Sequence, residues 1–130
     1  MDDNDHVIGK LYNDISYLNN QLHQNTEKLV RLKHAHKNIE IKQEDFFHNK
    51  RFIDEPQLSS VVWDGRHAND FLEFRNYIEE AYVRIGNQDI ENMLENIEDK
   101  ISYYEGINQT LANSISSKRE RIAQLRNVEK

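Results

Sequence analysis

Between Ile8 and Phe46 the apolar residues recur at alternating steps of three and four: Ile8, Leu11, Ile15, Leu18 and Leu22, then Leu29, Leu32, Ile39 and Phe46. This spacing constrains the fold more than any other feature, because an α-helix packed along one narrow stripe is what returns such positions to a single face. With Ile8, Ile15, Leu22 and Leu29 as heptad position a and Leu11, Leu18, Leu32, Ile39 and Phe46 as d, the polar seam residues are Asn25, His36 and Gln43. Asn25 reads either as a register device or as an ordinary polar defect at a seam edge. An arm from Asp5 to Lys50 would measure on the order of 65–70 Å. A helix that long needs a partner to stabilise it.

The rest of the chain allows little but helix. Only four glycines and one proline occur in 130 residues, and 37% hydrophobic against 31% charged is too polar for a compact globule. The predicted fold is all-α, an elongated antiparallel helical hairpin in one domain. Its first arm covers about residues 5–50, a loop 51–62, a bend 63–65 and a second arm about 66–127. The heptad is lost from His48 to Ser60, where Pro56 lacks an amide donor and pushes Glu55 out of helical geometry. Ser59, Ser60 and Asp64 are candidate caps, and Gly65 suits a positive φ or a close backbone approach.

Past the bend, Phe71, Phe74, Ile78, Ala81 and Ile85 resume the stripe, widened by Leu72, Tyr77 and Tyr82. After Gly86 it restarts in another phase, as Ile90, Leu94, Ile97, Ile101, Tyr104, Leu111, Ile115, Ile122 and Leu125. The mismatch across Gly86 to Glu91 predicts a stutter or kink, with two separate helices as the alternative. A second arm reaching Asn127 outruns the first by roughly 15 residues. Leu111, Ile115, Ile122 and Leu125 are therefore expected to overhang uncovered, and with Phe71 and Ile78 they are the predicted partner-binding residues.

Several function classes have no support in the residues. Seventeen basic residues mixed among twenty-three acidic ones, for a net charge of −6, leave no basic stripe for phosphate, so nucleic acid is not an expected partner. Without cysteine there is no disulfide framework and no thiolate metal site. Gly9, Gly65, Gly86 and Gly106 are too scattered for a phosphate-cradling loop. His6, His23, His34, His36, His48 and His67 lack metal-ligand spacing, and carboxylates such as Glu79, Glu80, Glu91, Glu95, Glu98 and Asp99 are spread as solvated helix faces. No enzyme activity, cofactor or metal is expected. Asn108-Gln109-Thr110 matches a glycosylation sequon but falls in predicted helix. No apolar run nears the roughly 20 residues of a membrane span, so no direct membrane insertion is expected, and the Asp-rich start lacks the order of a signal peptide.

With Trp63-Asp64-Gly65 between two helical arms, the chain resembles the WXG family of small helical hairpins exported by type VII secretion systems. The longer strings VWDGRHANDFLEFRNYIEEAYVRI, from Val62 to Ile85, and LNNQLHQNTEKLVRLKHA, from Leu18 to Ala35, are similar to its YwqH-like branch, whose members are encoded beside LXG toxins. The resemblance implies a non-enzymatic adaptor that binds the helical N-terminal LXG domain of a toxin and promotes its export. A second small helical partner or a homodimer belongs to the same expectation. The adaptor would be cytoplasmic before export and would either stay or leave with the toxin through the type VII machinery. Trp63 and Gly65 carry over as turn and packing determinants. The family's C-terminal Tyr-x-x-x-Asp/Glu signal is missing, since Tyr77, Tyr82, Tyr103 and Tyr104 are followed four residues later by Ala81, Gly86, Ile107 and Asn108. Either a partner carries that signal or the feature is looser here. The alternative reading is a self-associating cytoplasmic coiled-coil scaffold.

Overall fold

The computed structural model describes residues 2–54 and 66–128. They form helices α1 (Asp2–His48), α2 (Arg51–Asp54), α3 (Arg66–Arg84), a π-helical turn (Ile85–Asp89) and α4 (Ile90–Val128), with no strand among the described residues. The fold is an antiparallel helical hairpin. The expectations placed on Pro56, Ser59, Ser60, Trp63, Asp64 and Gly65 lie outside the described residues. At the end of α1 the hydrogen bonding tightens. Asn49 N–H reaches Asp45 O at 2.9 Å, whereas Lys50 N–H bonds Phe47 O at 3.2 Å and Phe52 N–H bonds Asn49 O at 3.0 Å. This change from four-residue to three-residue bonds bends the chain at 49–50 and starts α2 inside the expected loop.

The chain divides into two compact units, Met1–Lys33 with Asp99–Lys130, and His34–Glu98. In the first unit Ile8 and Ile15 of α1 meet Ile115 and Ile122 of α4, flanked by half-buried Leu11, Leu18, Leu22 and Leu125. Seven-residue spacing on both helices lets the four isoleucines interdigitate. The pairing is antiparallel: Arg126 Nη2 donates to Tyr12 Oη at 2.5 Å, Lys118 lies 3.8 Å from Asp14, and Lys33 lies 3.3 Å from Glu105. Exposed ion pairs of this kind contribute only about 0–1 kcal/mol each, so they mark the register that the isoleucines set.

The second unit has a thinner apolar core, with Leu94 and Ala68 its buried hydrophobic residues. It is tied instead by polar and aromatic contacts between α1 and the residues that follow α3. Gln43 Nε2 donates to Gly86 O and to Glu91 Oε1, both at 2.8 Å. The Tyr82 ring stacks on Phe46 with centroids 3.7 Å apart and planes 8° from parallel, and its hydroxyl donates to the Phe46 carbonyl. Lys50 reaches Glu79 at 3.4 Å, and α3 lies against α2.

The π turn accounts for the phase change read from the sequence. Among the buried or half-buried positions the series Ala68, Leu72, Arg75, Glu79, Tyr82 and Gly86 precedes it, with Ala81 and Val83 half-buried on either side of Tyr82, and Ile90, Leu94, Ile97, Ile101 and Tyr104 follow it. The second series lies one residue later than a heptad continued from the first. A π turn holds that extra residue without breaking the helix, and here Ile90 N–H bonds Ile85 O, five positions back. The backbone stays right-handed helical on both sides, at φ −63° and ψ −43° for Arg84 and φ −69° and ψ −42° for Ile90. The predicted stutter is thus a π insertion in one continuous helix.

Gly86 is buried, and a Cβ there would overlap Phe47 Cε1 and stand 2.7 Å from its Cζ, whereas a Cβ on Gly9 or Gly106 would meet nothing within 4 Å. Gly9→Ala and Gly106→Ala should each stabilise the protein by about 0.5–1 kcal/mol, the usual cost of glycine inside a helix. Gly86→Ala should gain nothing or lose stability, because displacing the Phe47 ring costs about 1–3 kcal/mol. In a Phe47→Ala background the same change should stabilise. Thermal melts followed by circular dichroism read all four; a gain for Gly86→Ala in the parent equal to that at Gly106 would contradict the close-approach account.

Candidate interaction surface

Each residue of the expected stripe sits one position before a buried or half-buried residue: Phe71 before Leu72, Phe74 before Arg75, Ile78 before Glu79, half-buried Ala81 before Tyr82 and, in the π turn, Ile85 before Gly86. One residue is about 100° of helix rotation, so the stripe expected on the seam is turned aside from it. Phe74 is 70% exposed, Tyr77 76% and Ile78 57%, with Phe71 and Ile85 less so at 44% and 39%. Scattered exposed apolar residues are ordinary, but here Phe71, Phe74 and Ile78 recur at steps of three and four on one helix, with Tyr77 beside them.

Specific contacts outweigh the pull of that stripe toward the seam. Tyr82 can stack on Phe46 and reach its carbonyl only while it faces α1, and such a ring pair is worth about 0.5–1.5 kcal/mol beyond its area. The absent side chain of Gly86 leaves room for the Phe47 ring, which also meets Phe46 edge-on at 6.2 Å. Gln43 fixes the same rotation by binding the Gly86 carbonyl. All of these would be lost if α3 turned by one residue to bury Phe74 and Ile78.

The predicted partner-binding residues separate into two groups. Phe71 and Ile78 are exposed, Phe71 with the Arg75 guanidinium 5.5 Å above its ring. Leu111, Ile115 and Ile122 are buried and Leu125 is packed half-buried beside them, so the expectation of an uncovered C-terminal overhang is wrong. The physical reason is the alignment of the arms within the first unit: the last turns of α4 lie on the first turns of α1. The spacing alone does not single out Phe74 and Tyr77, the most exposed members of the stripe. Their signal is the phase slip after Gly86. Trp63 and Gly65, the predicted turn motif, lie outside the described residues.

The surface offers apolar contact rather than reactive groups. Among the described residues no group of three His, Cys, Asp or Glu side chains could hold a metal ion, and no helix is long and apolar enough to cross a membrane. A groove lined by Ser102, Tyr103, Gly106, Ile107, Thr110 and Leu111 runs along α4 alone and gathers no titratable pair. Asn108 of the sequon buries its Oδ1 without a hydrogen-bond partner, which is a poor position for a glycan acceptor.

Phe74→Ser with Tyr77→Ser should leave the melting free energy within about 1 kcal/mol of the parent, as expected for exposed positions. Ile115→Ala should cost about 2–5 kcal/mol, because it opens a cavity in the first unit. Denaturant melts of the two proteins test this, and equal losses would mean that the assignment of inner and outer faces is wrong.

No curated protein and no solved structure matches the sequence. The YwqH-like family does match, from residue 7 to residue 127. That span takes in the isoleucine ladder, the π turn and the exposed stripe of α3 together, and the chain belongs to the YwqH-like family.

Proposed function

We propose that the protein is a non-enzymatic adaptor that binds the helical N-terminal LXG domain of a toxin and promotes its export by a type VII secretion system. The observation that carries this reading is the stripe of Phe74, Tyr77 and Ile78, left in water by a fold that commits its own seam to other residues. An amphipathic helix recognises such a surface by apolar side chains at the same three- and four-residue steps. Burying a large apolar side chain stabilises by about 1.5–3 kcal/mol, so the stripe is worth several kcal/mol to a complex. The family supports the choice of partner, because the resemblance that led to it implies proteins encoded beside LXG toxins. Trp63 and Gly65 keep their implied role as turn and packing determinants. The adaptor is cytoplasmic when it meets the toxin, and a second small helical protein is a further candidate in the complex.

Co-expression with the LXG protein encoded beside it tests the proposal. The two should co-purify, and Phe74→Asp with Ile78→Asp should weaken binding by about 100-fold or more while leaving the melting temperature within a few degrees. Leu111→Asp with Ile115→Asp should instead unfold the first unit, because both side chains are buried there. Absence of co-purification, with toxin export undiminished when the adaptor is deleted, would overturn the proposal. A stable homodimer in light scattering that ignores the toxin would favour a scaffold.

A further inference from the structure

His36 is a seam residue of α1 whose side chain is only 19% exposed. Its Nδ1 lies 2.8 Å from Glu40 Oε1, one turn along the same helix, and its Nε2 lies 2.8 Å from Glu98 Oε1 on α4. Glu40 from its own helix and Glu98 from α4 are the charged groups that face it. A neutral imidazole has one N–H, so it can serve one of these carboxylates and must turn a lone pair toward the other; an imidazolium serves both. Both acceptor oxygens belong to carboxylates that are more than half exposed, 56% for Glu40 and 59% for Glu98. The geometry therefore suits the protonated ring.

We infer that His36 is a proton-operated pin between α1 and α4, holding the two helices together at this turn when charged and releasing one of its carboxylates when neutral. The inference stands apart from the adaptor reading, since it concerns the second unit alone. The hydrogen bond to Glu98 raises the pKa of His36 above the ordinary histidine value, and the bond and charge of Glu40 add to this against the opposing effect of burial. With the folded value raised, the stabilisation is fully present below the unfolded value of 6.5 and is lost as the pH rises through the folded value. This places the change within the range where few other side chains titrate. His23 is a contrast inside the same helix, because it pairs with Glu27 at 3.3 Å on the exposed face and bridges no second element.

An NMR titration of the intact chain, with His36 assigned, tests the pin. The His36 ring should titrate above 6.5, and Glu98→Gln should bring it down toward that value while the far-ultraviolet helical signal is unchanged. Thermal melts give a second readout: between about pH 5.5 and 8.5 the parent should lose more melting temperature than His36→Gln, which has no proton to lose. A His36 ring that titrates at or below 6.5, or that does not respond to Glu98→Gln, overturns the inference. So does an equal loss of melting temperature in parent and His36→Gln.

Discussion

Two heptad phases meet in the second half of this chain, and a continuous α-helix cannot present both to one neighbour without somewhere holding an extra residue. Here the extra residue is held in one turn, Ile85–Asp89, and that choice decides which residues of α3 face α1. Tyr82 and Gly86 meet Phe46, Phe47 and Gln43 of α1, while Phe71, Phe74 and Ile78 are exposed. The turn also changes the hydrogen bonding that must be satisfied. Ile90 N–H passes over the Gly86 carbonyl to reach Ile85, and the side chain of Gln43 donates to Gly86 O from the opposite helix. Gln43, one of the three polar residues on the seam of α1, thus has a structural task, and the nearby carbonyl is not left unpaired.

The two units are held together by different physics. The first is a ladder of branched aliphatic side chains, stabilised in proportion to the apolar area it removes from water. In the second, Leu94 and Ala68 are joined by a ring stack, an amide bridging two acceptors and an imidazole between two carboxylates. Polar and aromatic contacts of that kind depend on angle, so they fix rotation about the helix axis more closely than they add stability. A segment with few buried apolar contacts also lies toward the low-stability end of a fold, where binding elements are commonly found. The exposed stripe belongs to this unit.

Much of the fold could be read from spacing. The heptad frame of α1 keeps one phase from Ile8 to Phe46 through its three polar positions, so one period describes that span, and the discontinuity near Gly86 is visible in the same way. Two things were not legible. Which turns of α4 are covered depends on where the chain turns, and Asn49–Lys50 bends it by local three-residue bonds that no hydrophobic pattern encodes. The packed face of α3 is only partly legible for another reason: a count of large apolar residues favours Phe71, Phe74 and Ile78, whereas Leu72, Ala81 and Tyr82 at the edge of that stripe are the half-buried ones. Ala68 and Gly86 allow close approach, and Tyr82 reaches a backbone oxygen. Periodicity gives the number of stripes on a helix but not which stripe packs when two compete.

That competition bears on how strongly the stripe could bind. Three well-exposed large side chains represent several kcal/mol of transferable burial, yet association itself costs about 4–15 kcal/mol in lost freedom before any net affinity results. The stripe alone is therefore too small to make a tight complex or a strong aggregation site, and the charged residues around it, Glu73, Glu80 and Arg84, disfavour indiscriminate contact. A partner that gains from it must continue the contact along the helix on either side. A long helix in matching register can do so, because each further turn adds burial without repeating the entropic cost of association. A short peptide or an irregular loop lacks that advantage, so the proposed long-helical partner is a better physical match to such a stripe than a short linear motif would be.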